Sequence, residues 1–521
     1  MKASWIRNCA FLSALALSAC THSDLRPDYV REPSQTITAQ ASDPLAAYAT
    51  RLSAGHGKDS GLRLLSDSLD ALLARIALAD RATHSIDVQY YLFHSDATGQ
   101  LVAQHLLAAA DRGVRVRVLL DDLHKLGKDD VLRALDGHPH IEIRLFNPFH
   151  ERNSSMWSMG KQFAGDFSRL NRRMHNKAFI ADGALAIVGG RNIGDEYFDA
   201  SGLSNFRDLD VLTIGPVVAQ ITQMFDSFWN SAPAVPIGAF HHDPPDLAKL
   251  ASIRASLEKN ARELDQTPYA ANVVTRAGDL RREEGPDQWA WGEAAFLTDD
   301  PDKVDPELDR RDLHMAPRIK EWLDGAKHRI LLISPYFVPG DKGVAYLEQK
   351  RAEGIEVAVL TNSLASTDAG NVYAAYASYR PKLLAAGVEL YELKPDAAHA
   401  YDDRRSLGSS SSSLHAKAIV VDDNRAFIGS MNLDPRSGNY NTEDGVIVTS
   451  QDVAKALADL FVLATTPAVT YRVRLKEGTT SVYWETMENG ETVLYDKAPR
   501  TSAWRRAKAG MTRALPIEGL L

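Results

Sequence analysis

Met174-His175-Asn176-Lys177 runs on through Asp182 to Gly189, Gly190 and Asn192. Leu414-His415-Ala416-Lys417 runs on through Asp422 to Gly429, Ser430 and Asn432. The spacing is the same in both: His-x-Lys, four residues, Asp, six residues, Gly-[Gly/Ser]-x-Asn. The two histidines, like the two asparagines, stand 240 positions apart (415 − 175 and 432 − 192). One His-x-Lys followed by an Asp is a weak signal, but two copies in register with the same Gly and Asn downstream mark a duplication. After each Lys an apolar run, Ala178-Phe179-Ile180-Ala181 or Ala418-Ile419-Val420-Val421, is followed by a turn and a second apolar run. That pattern predicts two buried strands joined by a tight turn. Residues two apart on an extended chain share a face, so each His projects with its Lys.

Imidazole, ammonium and carboxamide in duplicate suit a phosphodiester. Its transition state spreads negative charge over equatorial oxygens that lysines and amides hold in place. Attack and departure lie in line, so two facing histidines divide the work, one attacking and one protonating the leaving alcohol. Imidazole does both near neutral pH. Asp182 and Asp422 fall at turns, where Asp is favoured for local hydrogen bonding, which reads them as structural.

The pattern resembles the signature of the phospholipase D superfamily, and is most similar to its bacterial cardiolipin synthase C type. The stretches that carry the resemblance include 166–177, 188–195, Leu360-Thr361-Asn362-Ser363, 387–395 and Asn432-Leu433-Asp434-Pro435-Arg436-Ser437. The resemblance implies a duplicated α-β-α sandwich whose halves meet about a pseudo-twofold at one shared site, with a covalent phosphohistidine and no metal or other cofactor. It assigns the catalytic set to His175, Lys177, Asp182, His415, Lys417 and Asp422, with His175 as nucleophile and His415 as general acid. Asn192 and Asn432 would hold phosphate oxygens. An acidic residue downstream of each motif would orient its histidine: Glu443 in the second half, and Asp208, with Asp210 as rival, in the first. The implied reaction moves a phosphatidyl group from phosphatidylethanolamine or phosphatidylglycerol to phosphatidylglycerol, giving cardiolipin. Rivals are hydrolysis to phosphatidic acid, nuclease activity, and a non-catalytic lipid-binding lipoprotein that kept the fold.

The rest of the chain bears on those rivals. It has 521 residues, 45% hydrophobic and 24% charged, enough for a large core or two. A formal charge of −9 argues against nucleic acid as partner. His-Lys-Asn sets intact in both halves argue against a non-catalytic relic. No Gly-x-Ser-x-Gly elbow or P-loop lysine is present, and the adjacent His241 and His242 lack the companions of a zinc site.

Lys2 and Arg7 precede an apolar segment too short to span a bilayer, ending in Leu17-Ser18-Ala19-Cys20, similar to a lipobox. Residues 1–19 are thus expected to be a lipoprotein-type signal peptide and Cys20 a lipid anchor, an ordinary signal peptide being the alternative. With Cys9 removed, only Cys20 would remain and no internal disulfide forms. A bacterial membrane location facing the periplasm follows. Residues 20–60 read as a tether, 61–245 and 287–465 as the two repeated domains, 246–286 as a crossover with a helix near 247–264, and 466–521 as a β segment with a basic tail.

Within each half the order is helix, strand, helix, strand: 65–79, with Ser66 as N-cap, 84–91, 101–112 and 114–120, repeated as a helix ending at 326, then 328–334, 344–352 and 355–360. Residues 147–170 read as an apolar loop, either a lip at the bilayer or packed on the body. Residues 409–413 read as a flexible serine run. Asn489-Gly490 predicts a hairpin turn. The tail, with Arg500, Arg505, Arg506, Lys508 and Arg513, reads as lying on anionic lipid or docked on the body.

Overall fold

A computed structural model describes residues 24–26, 28–123, 128–152, 156–241, 243–283, 285–308, 310–397 and 411–513. Cys9, Cys20 and His242 lie outside them, as do Ser409 and Ser410 of the serine run and the last eight residues of the tail.

The fold is α/β and duplicated. In the first half the parallel strands Ser85–Tyr90, Arg115–Asp121 and Ile141–Phe146 lie side by side. Arg329–Ile333, Glu356–Asn362 and Glu389–Leu393 repeat them in the second. All six residues of Ser85–Tyr90 are buried, as expected of a parallel strand covered on both faces. Antiparallel to this core run the motif hairpins, Ala178–Ala181 with Leu185–Gly189 and Ala418–Val421 with Arg425–Gly429. Asp210–Ile214 and Asp444–Thr449 follow beside them.

The duplicated sandwich is as expected, and its strands join across the two halves into one continuous 18-stranded sheet. Its halves join edge to edge through Ser60–Leu65 and Ala290–Thr298, with Gly61 opposite Trp291. Glycine is needed there, since a Cβ on Gly61 would lie 2.8 Å from Ile214 and 2.9 Å from Trp291. Each half has an outer core of its own, and a third core draws Ile180 and Val188 together with Val420 and Val446 across the seam.

Several boundaries differ from the sequence reading. The first repeat helix is Ser68–Arg81, because Leu65 closes a strand and Asp67, not Ser66, accepts the free N–H groups of Leu69 and Asp70. The stretch read as a tether is fastened to the body from its first described residues, where Asp24 donates its N–H to the His150 carbonyl and Arg26 its N–H to that of Ala239. Thr36 joins the buried Asp87–Arg117–Asp226 network, and Pro44–Ser53 is a helix. The loop at 147–170 contains the helices Met156–Gly165 and Phe167–Leu170, with Phe149 fully buried and Phe167 partly exposed. The end of the serine run is ordered by pairing: Ser412–Leu414 lies parallel to Asn205–Arg207 of the other half.

The crossover holds two helices, Leu247–Leu264 and Pro268–Glu283, of which Tyr269 packs on the outer core of the first half. Past the second motif, Val482–Glu488 and Glu491–Tyr495 form the expected hairpin. Asn489 and Gly490 both take positive φ (51° and 83°), the geometry of a two-residue turn matched to strand twist. The tail helix Ala503–Arg513 packs by Ala509 on the body, and Arg505 donates to the Thr367 carbonyl. Trp504 and Met511 remain exposed. No helix among the described residues is long and apolar enough to cross a membrane.

Candidate active site

His175 and His415 stand in the extended segments that lead into the motif hairpins. Because Gln89 is opposite Ala178, these segments lie at the carboxyl ends of the parallel strands, the usual ligand-binding edge of an open α/β sheet. Each segment is tied to a loop of the other half. His175 donates its N–H to the Thr442 carbonyl (2.9 Å), and Thr442 donates to Arg173 (3.0 Å). By the same local symmetry His415 and Ala416 donate to the Arg207 carbonyl (2.7 and 3.0 Å).

The residue after each of those partners is the acid. Glu443 Oε2 is 2.8 Å from His175 Nδ1, and Asp208 Oδ2 is 2.5 Å from His415 Nδ1. The sequence reading had each acid orient the histidine of its own half, and the structure crosses them. The cause is the backbone pairing just described, which sets each motif against the acidic loop of the opposite repeat. Asp210, the rival to Asp208, is instead bound to Arg75 at 2.9 Å. A carboxylate only accepts hydrogen bonds, so each Nδ1 carries the proton and each neutral ring keeps its lone pair on Nε2.

The two acids are held differently. Glu443 accepts from the hydroxyls of Ser430 (2.5 Å) and Ser437 (2.6 Å). Gly190, the counterpart of Ser430, lets Asp208 come close: a Cβ there would lie 2.1 Å from the Asp208 carboxylate.

Lys177 and Lys417 are both buried. Lys177 Nζ donates to the His175 carbonyl (2.6 Å), while Lys417 Nζ lies 2.9 and 3.1 Å from the two ring nitrogens of His415. Burial pushes the Lys177 ammonium down to about 8 and that of Lys417 down to about 7, against the pull of Glu443 and Asp208. Burial, then the charges of Lys177, Lys417 and His415, hold His175 well below the ordinary imidazole value. That both lysines and the opposite histidine act on His175 places the two motifs in one site. His415 is lowered too, by burial and Lys417, with Asp208 pulling the other way. Burial raises Asp208, but His415 and Lys417 outweigh it and keep that carboxyl below its ordinary value. Burial leaves Glu443 above its own.

Asn192 and Asn432 diverge. The Asn192 amide donates to Tyr197 Oη (2.7 Å) and accepts from Leu92 N–H (3.1 Å), whereas Asn432 Oδ1 is buried without a partner. Asp182 and Asp422 are not gathered with the histidines. The Asp182 carboxylate takes the backbone N–H groups of Thr83, His84 and Ser85, and that of Asp422 those of Lys327, His328 and Arg329. They tie each motif turn to the start of the neighbouring parallel strand, which corrects their place in the catalytic set.

Aromatic walls escaped the sequence reading. Tyr91 stands edge-on to His175 at 5.2 Å between centroids, and Tyr197 and Phe206 flank His415 at 5.3 and 4.9 Å. Tyr336 lies 6.5 Å from His415, and the bridges Phe93–Ile193 and Phe337–Leu433 align it with Leu92 rather than with Tyr91. The repeat offset does not mark these walls, because the aromatic positions differ between the halves.

The family model for the cardiolipin synthase, phospholipase D-like domain matches residues 75–229 and 319–462. Cardiolipin synthase C of Escherichia coli (strain K12) is 40% identical over 92% of this chain and 99% of its own. The chain belongs to the phospholipase D-like cardiolipin synthase family. The major cardiolipin synthase ClsA of Bacillus subtilis (strain 168) is 27% identical over 78% of this chain and 68% of its own. The crystal structure of phosphatidylserine synthase from Haemophilus influenzae Rd KW20 covers 91% of this chain and all of its own, with a TM-score of 0.53 at 11% identity, a likeness of fold.

Proposed function

We propose that this protein is a membrane-attached phosphatidyltransferase that makes cardiolipin through a phosphohistidine. The observation that carries the reading is the crossed pair of imidazoles, each bound at Nδ1 by a carboxylate of the other half, with Nε2 of His175 left for substrate and Nε2 of His415 beside the Lys417 ammonium. His175, which burial and the neighbouring lysines hold below the ordinary imidazole value, suits the nucleophile. Its Nε2 attacks the phosphorus of a donor phospholipid, phosphatidylethanolamine or phosphatidylglycerol. The bond to the head-group oxygen breaks, and His415 gives that oxygen its proton. For this step His415 takes a second proton at Nε2 before attack: burial and Lys417 oppose that imidazolium, while Asp208 and the negative charge of the bound phosphodiester favour it. His415, now neutral, takes the proton of a glycerol hydroxyl of phosphatidylglycerol. That oxygen bonds to phosphorus and the bond to His175 breaks, releasing cardiolipin. Lys177 and Lys417 hold the phosphate oxygens, and Asn432 adds its amide. Membrane attachment is supported by the family's lipid substrates, by the exposed Trp504 and Met511 on a basic helix, and by the lipobox-like sequence at Cys20.

The test is a product assay. The purified protein is given labelled phosphatidylglycerol in mixed micelles, with and without phosphatidylethanolamine, and the lipids are identified by mass spectrometry. Cardiolipin is the expected product, and its dependence on phosphatidylethanolamine names the donor. Phosphatidic acid without cardiolipin would instead mean that water reaches the phosphohistidine and that the protein is a phospholipase D.

A further inference from the structure

The two halves differ beside their asparagines. Tyr197 and Phe198 in the first repeat correspond to Ser437 and Gly438 in the second (437 − 197 and 438 − 198 both give 240). Phe198 is fully buried in the outer core, and Tyr269 of the crossover closes over it by donating its hydroxyl to the Phe198 carbonyl (2.8 Å). At the corresponding place in the second half lies a cavity of about 530 Å³. Leu323, Ile330, Leu332, Phe337 and Leu347 wall it, and Asn432 lines it too. The exposed Asp341, Lys342 and Asn439 mark its rim. A Cβ on Gly438 would meet nothing within 4 Å, so the space that Phe198 fills in one half is open in the other.

We propose that this cavity takes a fatty-acyl chain of the phospholipid whose phosphate lies between His175 and His415. The inference rests on the phosphatidyltransferase reading and deepens it by giving the lipid a direction across the site. Asn432 connects the two places, being at once in the His-Lys-Asn set and in the cavity wall, with its side-chain oxygen buried and unpartnered. In the first half Asn192 is engaged by Tyr197, and Phe198 occupies the corresponding space. The volume falls in the range of small-ligand sites with apolar walls. An alkyl chain needs no hydrogen bonds from such walls, and each methylene that enters strengthens binding roughly three- to fourfold.

Gly438→Phe restores the first-half arrangement and tests the assignment. Initial rates of the full chain are measured on phosphatidylglycerol with oleoyl chains and with hexanoyl chains, both in mixed micelles. The expected result is a rise in KM of about tenfold or more for the oleoyl lipid, with its kcat and the hexanoyl turnover nearly unchanged. Leu323→Trp, which fills the cavity from a different helix, should shift chain-length preference the same way and decides the matter if Gly438→Phe does not fold. Equal losses on both lipids, or no change in KM in a variant whose melting curve is native, would overturn the acyl site. A wild-type protein that forms no lipid product from either substrate would remove the underlying reading, and the acyl site with it.

Discussion

Each imidazole keeps its Nδ1 on a carboxylate, so what distinguishes them is how readily each takes a proton. His175→Ala and His415→Ala are both expected to remove turnover while leaving the fold, checked by product formation and by a melting curve. Asp208→Asn and Glu443→Gln keep shape but lose the anion, and should lower kcat by about 10²-fold or more, the scale of general acid–base assistance. The lysines set the alkaline limit. A lysine is charged below its pKa, so the phosphate-holding charge is lost as pH rises through about 7 for Lys417 and about 8 for Lys177. Turnover should therefore fall on the alkaline side, and Lys417→Arg should carry that limb to higher pH.

The same shift bears on stability. The folded Lys417 releases its proton more easily than the unfolded one, so the unfolded state binds more protons between the two values. Stability rises with pH across that window, from about 7 to about 10. Lys417→Met should accordingly raise the melting temperature at pH 6 and have little effect at pH 10. At this scale the sequence was informative about residue types: the spacing of His and Lys located the side chains that meet at the site, whereas Asp182 and Asp422 sit at turns, Asn192 is held by Tyr197, and each acid serves the histidine of the other half.

Between elements, the decisive contacts join one repeat to the other. Ser412–Leu414 beside Asn205–Arg207, and Met174 bridged to Thr442, are what bring each acid to the opposite histidine. No periodicity within a repeat encodes such a pairing, which is why the acids were legible as residue types but not as partners. Gly190 serves this contact. Gly190→Ala would press on the Asp208 carboxylate and should cost activity with little loss of stability, as read by kcat against melting temperature. Asp182→Ala is the converse. It frees three backbone N–H groups near the turn and should destabilise the protein by roughly 2–4 kcal/mol in denaturant titration, with kcat of the folded fraction retained. The helices at 147–170 were missed because aromatic and methionine residues there show no clean stripe. The first repeat helix was begun too early because Leu65 fits a helical spacing but belongs to the strand Ser60–Leu65.

For the whole molecule, the duplication was legible from the 240-residue offset, while the joining of the halves into one sheet was not. That joint depends on Ser60–Leu65 meeting Ala290–Thr298, two strands outside the motifs. The tail helix offers Arg505, Arg506, Lys508 and Arg513 together with exposed Trp504 and Met511, seven residues apart and so on one helical face. Trp504→Ala with Met511→Ser should weaken sedimentation with anionic vesicles and leave turnover of hexanoyl phosphatidylglycerol intact. Cys20→Ser should abolish metabolic labelling by palmitate if that residue is the anchor.

The proposed phosphohistidine is tested most directly with His415→Ala given a phosphatidyl p-nitrophenyl ester, whose leaving group needs no acid. One equivalent of p-nitrophenol should be released in a burst, with a phosphatidyl adduct found on His175 by mass spectrometry and neither event in His175→Ala. An adduct on another residue, or steady release with no adduct, would contradict the two-histidine site.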